Sequence, residues 1–256
     1  MNNYIKINNL TSIDLYNNLN LIVPLNKFIT ITGPNNSGKS TLLKLLNKDI
    51  DIENTIFINN KDISKYTYKE YYKLTKLISV DNLLFNKNNI LDEIKFYLLR
   101  NNNYTKDNLD YYLKQFKLNS KKLISNLTIK EKIYLKIIEA LIDESNIILI
   151  DNIDRYLDIN TINRLINKLI KNNKTIIMTI SNLELSIKSD YLYVIGNNKS
   201  IIVEGIPKTV LEKDNILNKN GIELPFIIDL SVKLKDYNLV DKIYYDEESL
   251  INDLWN

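Results

Sequence analysis

Neither cysteine nor histidine occurs in this 256-residue chain. Without cysteine there is no disulfide framework, no thiolate nucleophile and no cysteine-ligated zinc. Without histidine the commonest general base and metal ligand is gone as well. Glycine and proline are scarce, at five and four residues, so a place where glycines fall close together is informative. No apolar run approaches the roughly 20 residues of a membrane-spanning helix, and the N-terminus does not read as a signal peptide. The chain is therefore expected to be soluble and cytoplasmic, with any membrane role supplied through a partner. The charge excess is small: 34 basic against 31 acidic residues give +3. That is below what a dedicated nucleic-acid binder carries, so no nucleic-acid partner is expected. The abundant Asn, Ile, Lys and Tyr read first as codon choice in an A+T-rich genome. Scattered asparagines and the cluster Tyr66, Tyr68, Tyr71 and Tyr72 are accordingly assigned no role.

Two of the five glycines lie in one eight-residue stretch, Gly33-Pro34-Asn35-Asn36-Ser37-Gly38-Lys39-Ser40. This is the spacing G-x-x-x-x-G-K-[ST] of a phosphate-cradling loop. With average residue usage it arises by chance in roughly one chain of this length in a hundred. The flanks fit it. Phe28 to Thr32 is an apolar run suited to a buried strand, and Leu42, Leu43, Leu45 and Leu46 follow at helical spacing. In such a loop consecutive N–H groups and a helix N-terminus converge on phosphate. Lys39 is expected to bridge the β- and γ-phosphates of a nucleoside triphosphate, and the hydroxyl of Ser40, followed by Thr41, to bind Mg²⁺. About a hundred residues later, Ile147-Ile148-Leu149-Ile150 ends in Asp151, the pattern of a strand presenting a second Mg²⁺ ligand.

The remaining pattern alternates strands with helices, which predicts an α/β fold with a mostly parallel sheet. Strands are expected at Tyr4 to Leu10, Leu19 to Val23, Thr55 to Ile58, Leu77 to Val80, Thr175 to Ile180, Tyr191 to Ile195 and Ile201 to Val203. Residues 62–76 read as helix, residues 89–136 as mainly helical with polar breaks, and Ile129 to Asp143 and Ile159 to Lys171 as helices. The N-terminal strands form an antiparallel region. A helical subdomain of about residues 85–136 interrupts a core of residues 1–210, and residues 211–256 form a small C-terminal extension.

With these residues in view, the chain resembles ABC-type ATPases over about residues 4–210. Asp151-Asn152-Ile153-Asp154 and Leu157-Asp158 resemble that family's DEPT…LD run. Leu127-Thr128-Ile129-Lys130-Glu131 stands in the slot of its LSGGQ signature, Val80-Asp81-Asn82 at its Q-loop, and Ser181-Asn182-Leu183 at its switch histidine. Ser189 to Leu192 and Val203 to Pro207 resemble its closing segments. Gly221 to Phe226, Glu247 to Leu250 and Leu254-Trp255 further resemble the C-terminal extension of energy-coupling factor (ECF) ATP-binding subunits, which in that family helps two ATPases dimerise. The resemblance implies MgATP as ligand, a second ABC ATPase and a transmembrane coupling subunit as partners, and a station on the cytoplasmic face of the membrane. It implies a role in importing a small molecule such as a vitamin or metal ion. Two alternatives remain: a catalytically impaired structural or regulatory subunit, and a soluble non-transport ABC protein.

The departures from the family pattern fall on catalysis. Asn152 stands at the position of the water-polarising glutamate and cannot accept a proton; losing a general base costs about 10²- to 10⁴-fold in rate. Ser181 replaces the switch histidine, and Asp81 the Q-loop glutamine, where it becomes a candidate metal ligand. In the signature, Thr128 keeps a hydroxyl, while Ile129 and Lys130 add side chains where backbone approaches phosphate. Lys130 is either a charge that meets phosphate or a solvated lysine at a helix start. Tyr16, the nearest aromatic upstream of the loop, is either an adenine-stacking ring or a packing residue.

Overall fold

The computed structural model describes residues 4–12, 15–143 and 145–255. Two sheets form the framework. The first contains β1 (Tyr4–Ser12), β2 (Tyr16–Pro24), β4 (Ile56–Ile58) and β5 (Lys61–Asp62) in the order β2-β1-β4-β5, all antiparallel. The second contains β3 (Phe28–Thr32), β6 (Thr75–Ser79), β7 (Ile147–Asp151), β8 (Thr175–Thr179), β9 (Tyr191–Ile195) and β10 (Ile201–Gly205), in the order β10-β9-β3-β8-β7-β6. Every neighbouring pair in it is parallel except β9 and β10. β3, β7 and β8 are buried at every residue, which is why they read as unbroken apolar runs rather than alternating ones.

Helix α1 (Lys39–Leu46) follows β3 and buries its leucines against the face of the sheet that also meets the antiparallel sheet. The opposite face packs on α3 (Ile90–Arg100), α4 (Lys106–Phe116), α5 (Ile129–Ile142) and α6 (Ile159–Lys171). Side chains of Asn89, Thr105, Thr128 and Asp158 accept the first-turn N–H groups of these four helices, which sets where each begins.

One predicted helix is divided. Asp62 caps a single 3₁₀ turn at Ile63–Lys65 through Ser64 N–H at 2.8 Å. Thr67 then opens a separate α2 (Tyr68–Leu74) with a capping box to Glu70, and Thr75 is already strand. Two successive caps stop one helix from running through. Beyond β10 come α7 (Pro207–Leu211), α8 (Asp214–Lys219), α9 (Phe226–Asp236) and α10 (Glu247–Leu254); the last two share a small core of Val240, Tyr244 and Leu250.

Asparagine has a role that composition alone did not reveal. Among the described residues fourteen non-glycine positions have positive φ, and all but Lys48, Lys117 and Lys199 are asparagine. Asparagine tolerates the left-handed region because its short side chain bonds locally. In a chain so short of glycine it makes the turns.

Candidate functional site

The C-terminal ends of β3, β7 and β8 converge on one cleft, where ligands bind in open parallel sheets. The cleft has a volume of about 730 Å³ and is lined by Asn35, Asn36, Ser37, Gly38, Lys39, Ser40 and Thr41, with Asp81, Asp151 and Asn152 facing them. Residues more than a hundred positions apart in sequence thus meet.

The loop between β3 and α1 depends on its two glycines. A Cβ on Gly33 would lie 2.3 Å from the carbonyl oxygen of Ile195, and one on Gly38 would lie 2.9 Å from the ring of Tyr16. Gly38 also has φ +95°, in the region that only glycine enters without strain. Pro34 contributes its carbonyl: the Lys39 ammonium donates to Gly33 O at 2.7 Å and to Pro34 O at 2.8 Å. Burial, and then the nearby positive charge of Arg155, pull the Lys39 pKa below its ordinary value, opposed by Asp151 and Asp154. Helix α1 has no side-chain cap and no acidic residue in its first turn. Its N-terminal dipole is therefore left to an external anion.

Asp151 closes the other side. Its Oδ1 accepts from Ser40 Oγ at 3.0 Å, Thr179 Oγ1 at 2.6 Å and Asn152 Nδ2 at 3.2 Å. Register explains the Thr179 contact, since Asp151 and Thr179 are partners across β7 and β8. A hydroxyl and a carboxylate side by side suit Mg²⁺, which takes one or two protein oxygens and completes its shell with phosphate and water. Consistent with that economy, the described residues contain no cluster of three or more acidic side chains that would cage an ion alone. Asp81 lies on the turn Val80–Asn82 after β6 and lines the same cleft.

Asn152 sits in the left-handed region, at φ 45° and ψ 41°. Its N–H donates to Thr179 Oγ1 at 3.1 Å, and its buried Oδ1 has no hydrogen-bond partner among the described residues. Ser181 is exposed and does not line the cleft. Its N–H and that of Asn182 donate to Asp154 Oδ2 at 2.6 and 2.9 Å, tying the end of β8 to the turn after β7.

Thr128 and Lys130 lie elsewhere, on a second cleft of about 460 Å³ between α4, α5 and α6. The Thr128 hydroxyl accepts from Glu131 N–H at 3.2 Å, and the Glu131 carboxylate accepts from Thr128 N–H at 2.8 Å. Lys122 pairs with the same carboxylate at 2.8 Å and, with the Thr128 bonds, holds its pKa below the ordinary value. Lys130 is half exposed, 3.8 Å from Asp158 and over the ring of Tyr134. Tyr16 is a packing residue, the second of its two readings. It is 3% exposed, and its hydroxyl donates to Gly38 O at 2.6 Å, so the ring supports the loop from beneath.

Sequence reasoning missed three groups. Thr179 was seen only as strand, and Leu15 and Arg155, which line the cleft, were passed over. A cationic side chain four residues beyond Asp151 was the available signal.

The chain is similar to proteins already known. Residues 16–154 match the family described as ABC transporter. The energy-coupling factor transporter ATP-binding protein EcfA1 of Mycoplasmopsis pulmonis is 27% identical over 272 residues, spanning 98% of this chain and 99% of that protein. An ABC transporter ATP-binding protein of Methanocaldococcus jannaschii is 30% identical, over 87% of this chain and 84% of its own length. Among solved structures, cbiO1 of Clostridium perfringens, part of the ABC transporter complex cbiONQ, superposes with TM-score 0.69 at 20% identity, covering 90% of this chain and 99% of that one. A bacterial Atm1-family ABC exporter with ATP bound gives TM-score 0.73 at 19% identity, and this chain spans 42% of its length.

Proposed function

The chain belongs to the ABC transporter family, and from that premise we propose that it is the ATP-binding subunit of an ECF-type importer. In this reading it holds MgATP in the cleft between the Gly33 to Ser40 loop and Asp151, beside a second ATPase and a membrane coupling protein. The observation that carries it is the 3.0 Å contact between Ser40 and Asp151 at the foot of an uncapped helix.

Backbone N–H groups at the head of α1 bind the phosphates, and Lys39 exchanges its carbonyl partners for β- and γ-phosphate oxygens. Ser40 and Asp151 hold Mg²⁺, which when bound neutralises charge shared between those two phosphates. Asp81, at the cleft edge, is the further candidate ligand. Near full-length similarity to EcfA1 supports the ECF assignment. The exposed Phe226 and Trp255 on the C-terminal extension support a role there in subunit contact. No described helix is long and apolar enough to cross a membrane, so attachment at the cytoplasmic face falls to partners. The cargo is a small molecule, of the vitamin or metal-ion class.

A specific observation favours slow turnover. Asn152 orients its amide towards Asp151 and has no carboxylate to accept a proton, and Ser181 does not reach the cleft. The chain then acts mainly as a nucleotide-dependent half of a dimer, closing on ATP. The test is purification from detergent-solubilised membranes. Recovery with a second ATPase and an integral membrane protein is expected; recovery of the chain alone overturns the transport assignment. Steady-state hydrolysis by the complex then separates the two modes. A normal rate that survives removal of the partner's catalytic glutamate excludes the impaired one.

A further inference from the structure

Four charged side chains line the cleft at the head of α1: Lys39, Asp81, Asp151 and Arg155. Lys39 is held by two carbonyls and Asp151 by three donors. Asp81 already stands as a candidate metal ligand. Arg155 is different: an exposed cation with no hydrogen bond, ion pair or ring contact among the described residues. A guanidinium that borders an anion cleft without a partner is poised for an external one.

The turn that carries it is clamped. Asn152 reverses the chain from β7, and Ile153 is fully buried and Leu157 nearly so. Asp154 is tied to the end of β8 through two backbone N–H groups. An exposed arm therefore projects from a fixed base on the Asp151 side of the cleft. That side is where a metal bridging the β- and γ-phosphates would sit. Arg155 also lowers the pKa of Lys39, as expected when two positive charges share one space. An incoming phosphate relieves that repulsion.

We propose that Arg155 is a second phosphate-binding cation of this chain's own cleft, gripping the terminal phosphate of ATP and so distinguishing ATP from ADP. The planar fork of arginine matches two phosphate oxygens in a way a lysine cannot. The inference rests on the MgATP reading of the cleft and goes beyond it in naming what reads the terminal phosphate.

Calorimetric titration of the full chain with MgATP and with MgADP tests this in wild type, Arg155→Ala and Arg155→Lys. A charge-assisted contact contributes enough that Arg155→Ala should weaken MgATP about tenfold or more while changing MgADP by less than about twofold. Arg155→Lys should fall between. Equal weakening of both nucleotides, or no change in either, overturns the assignment. Wild-type protein that binds neither nucleotide removes the MgATP reading itself, and this inference with it. Because Arg155 is exposed and unpartnered, all three proteins should melt at the same temperature, so a binding loss is not a folding loss.

Discussion

Helices α1 and α5 each begin where an ABC ATPase is expected to meet phosphate, and they begin in opposite ways. At α1 the cap is Gly38, with no side-chain bond and no acid in the first turn. At α5 the cap is Thr128, whose hydroxyl accepts from Glu131 N–H while the Glu131 carboxylate accepts from Thr128 N–H and pairs with Lys122. A helix N-terminus attracts anions through its free N–H groups and partial positive charge. The first helix has no such side chain at its head, whereas the second meets part of that attraction with its own hydroxyl and places a carboxylate beside it. On the MgATP reading proposed above, the chain would hold a nucleotide at the head of α1 and offer little at α5 to one brought by a partner. This asymmetry is independent of which residues a relative carries at the same positions.

The comparison breaks most visibly if Lys39 is dispensable. Lys39→Ala should weaken MgATP about a hundredfold or more, measured by calorimetry, because a charged contact at the centre of the cleft is removed. Gly38→Ala should sharpen the picture from the backbone side. Its new methyl meets the Tyr16 ring at 2.9 Å with φ at +95°, so a loss of about 1–3 kcal/mol in chemical denaturation is expected. A Tm equal to wild type would mean that the loop is not held against Tyr16 as described.

Asn152→Glu asks which end limits turnover. Restoring a carboxylate should raise hydrolysis by the assembled complex about tenfold, short of the full effect of a general base. The side chain must do so from a left-handed backbone at φ 45°, where glutamate is less at ease than asparagine, costing about 1 kcal/mol of stability. No gain in rate would place the limit at Thr128 and Glu131 instead.

The smallest expected effect concerns pH. The Glu131 carboxyl is held below its ordinary value of 4.5 by Lys122 and Thr128. Its stabilising contribution is complete above that value and is lost as pH falls through the lower, folded-state value. Glu131→Gln should therefore flatten the decline of Tm below about pH 4.5 and leave the slope at neutral pH as it was. An unchanged acid limb would show that the carboxylate does not cap α5.

Much of the fold was legible. β3, β7, β8 and β9 were read within one residue at each end, because they are apolar runs bounded by turn residues, and α6 was read in full. The division of residues 62–76 was missed because Asp62 and Thr67 are caps only once their backbone is extended, a state the apolar spacing does not report. Asparagine at eleven left-handed positions among the described residues was read as composition, since φ is invisible until the turn closes. The loop residues from Gly33 to Thr41 were found together because their chemistry depends on neighbours in sequence.

What the chain determined unaided is therefore what depends on consecutive residues: the glycine loop, the helix behind it and the buried strands. Tertiary structure alone decided what depends on strand order and register. Because β8 lies between β3 and β7, Ser40 meets Asp151 and Thr179 reaches the same carboxylate. The same packing sends Tyr16 beneath the loop, keeps Ser181 outside the cleft and brings Arg155 to its edge. Local spacing dictates which groups a segment can offer, but burial and register dictate which of them face one another.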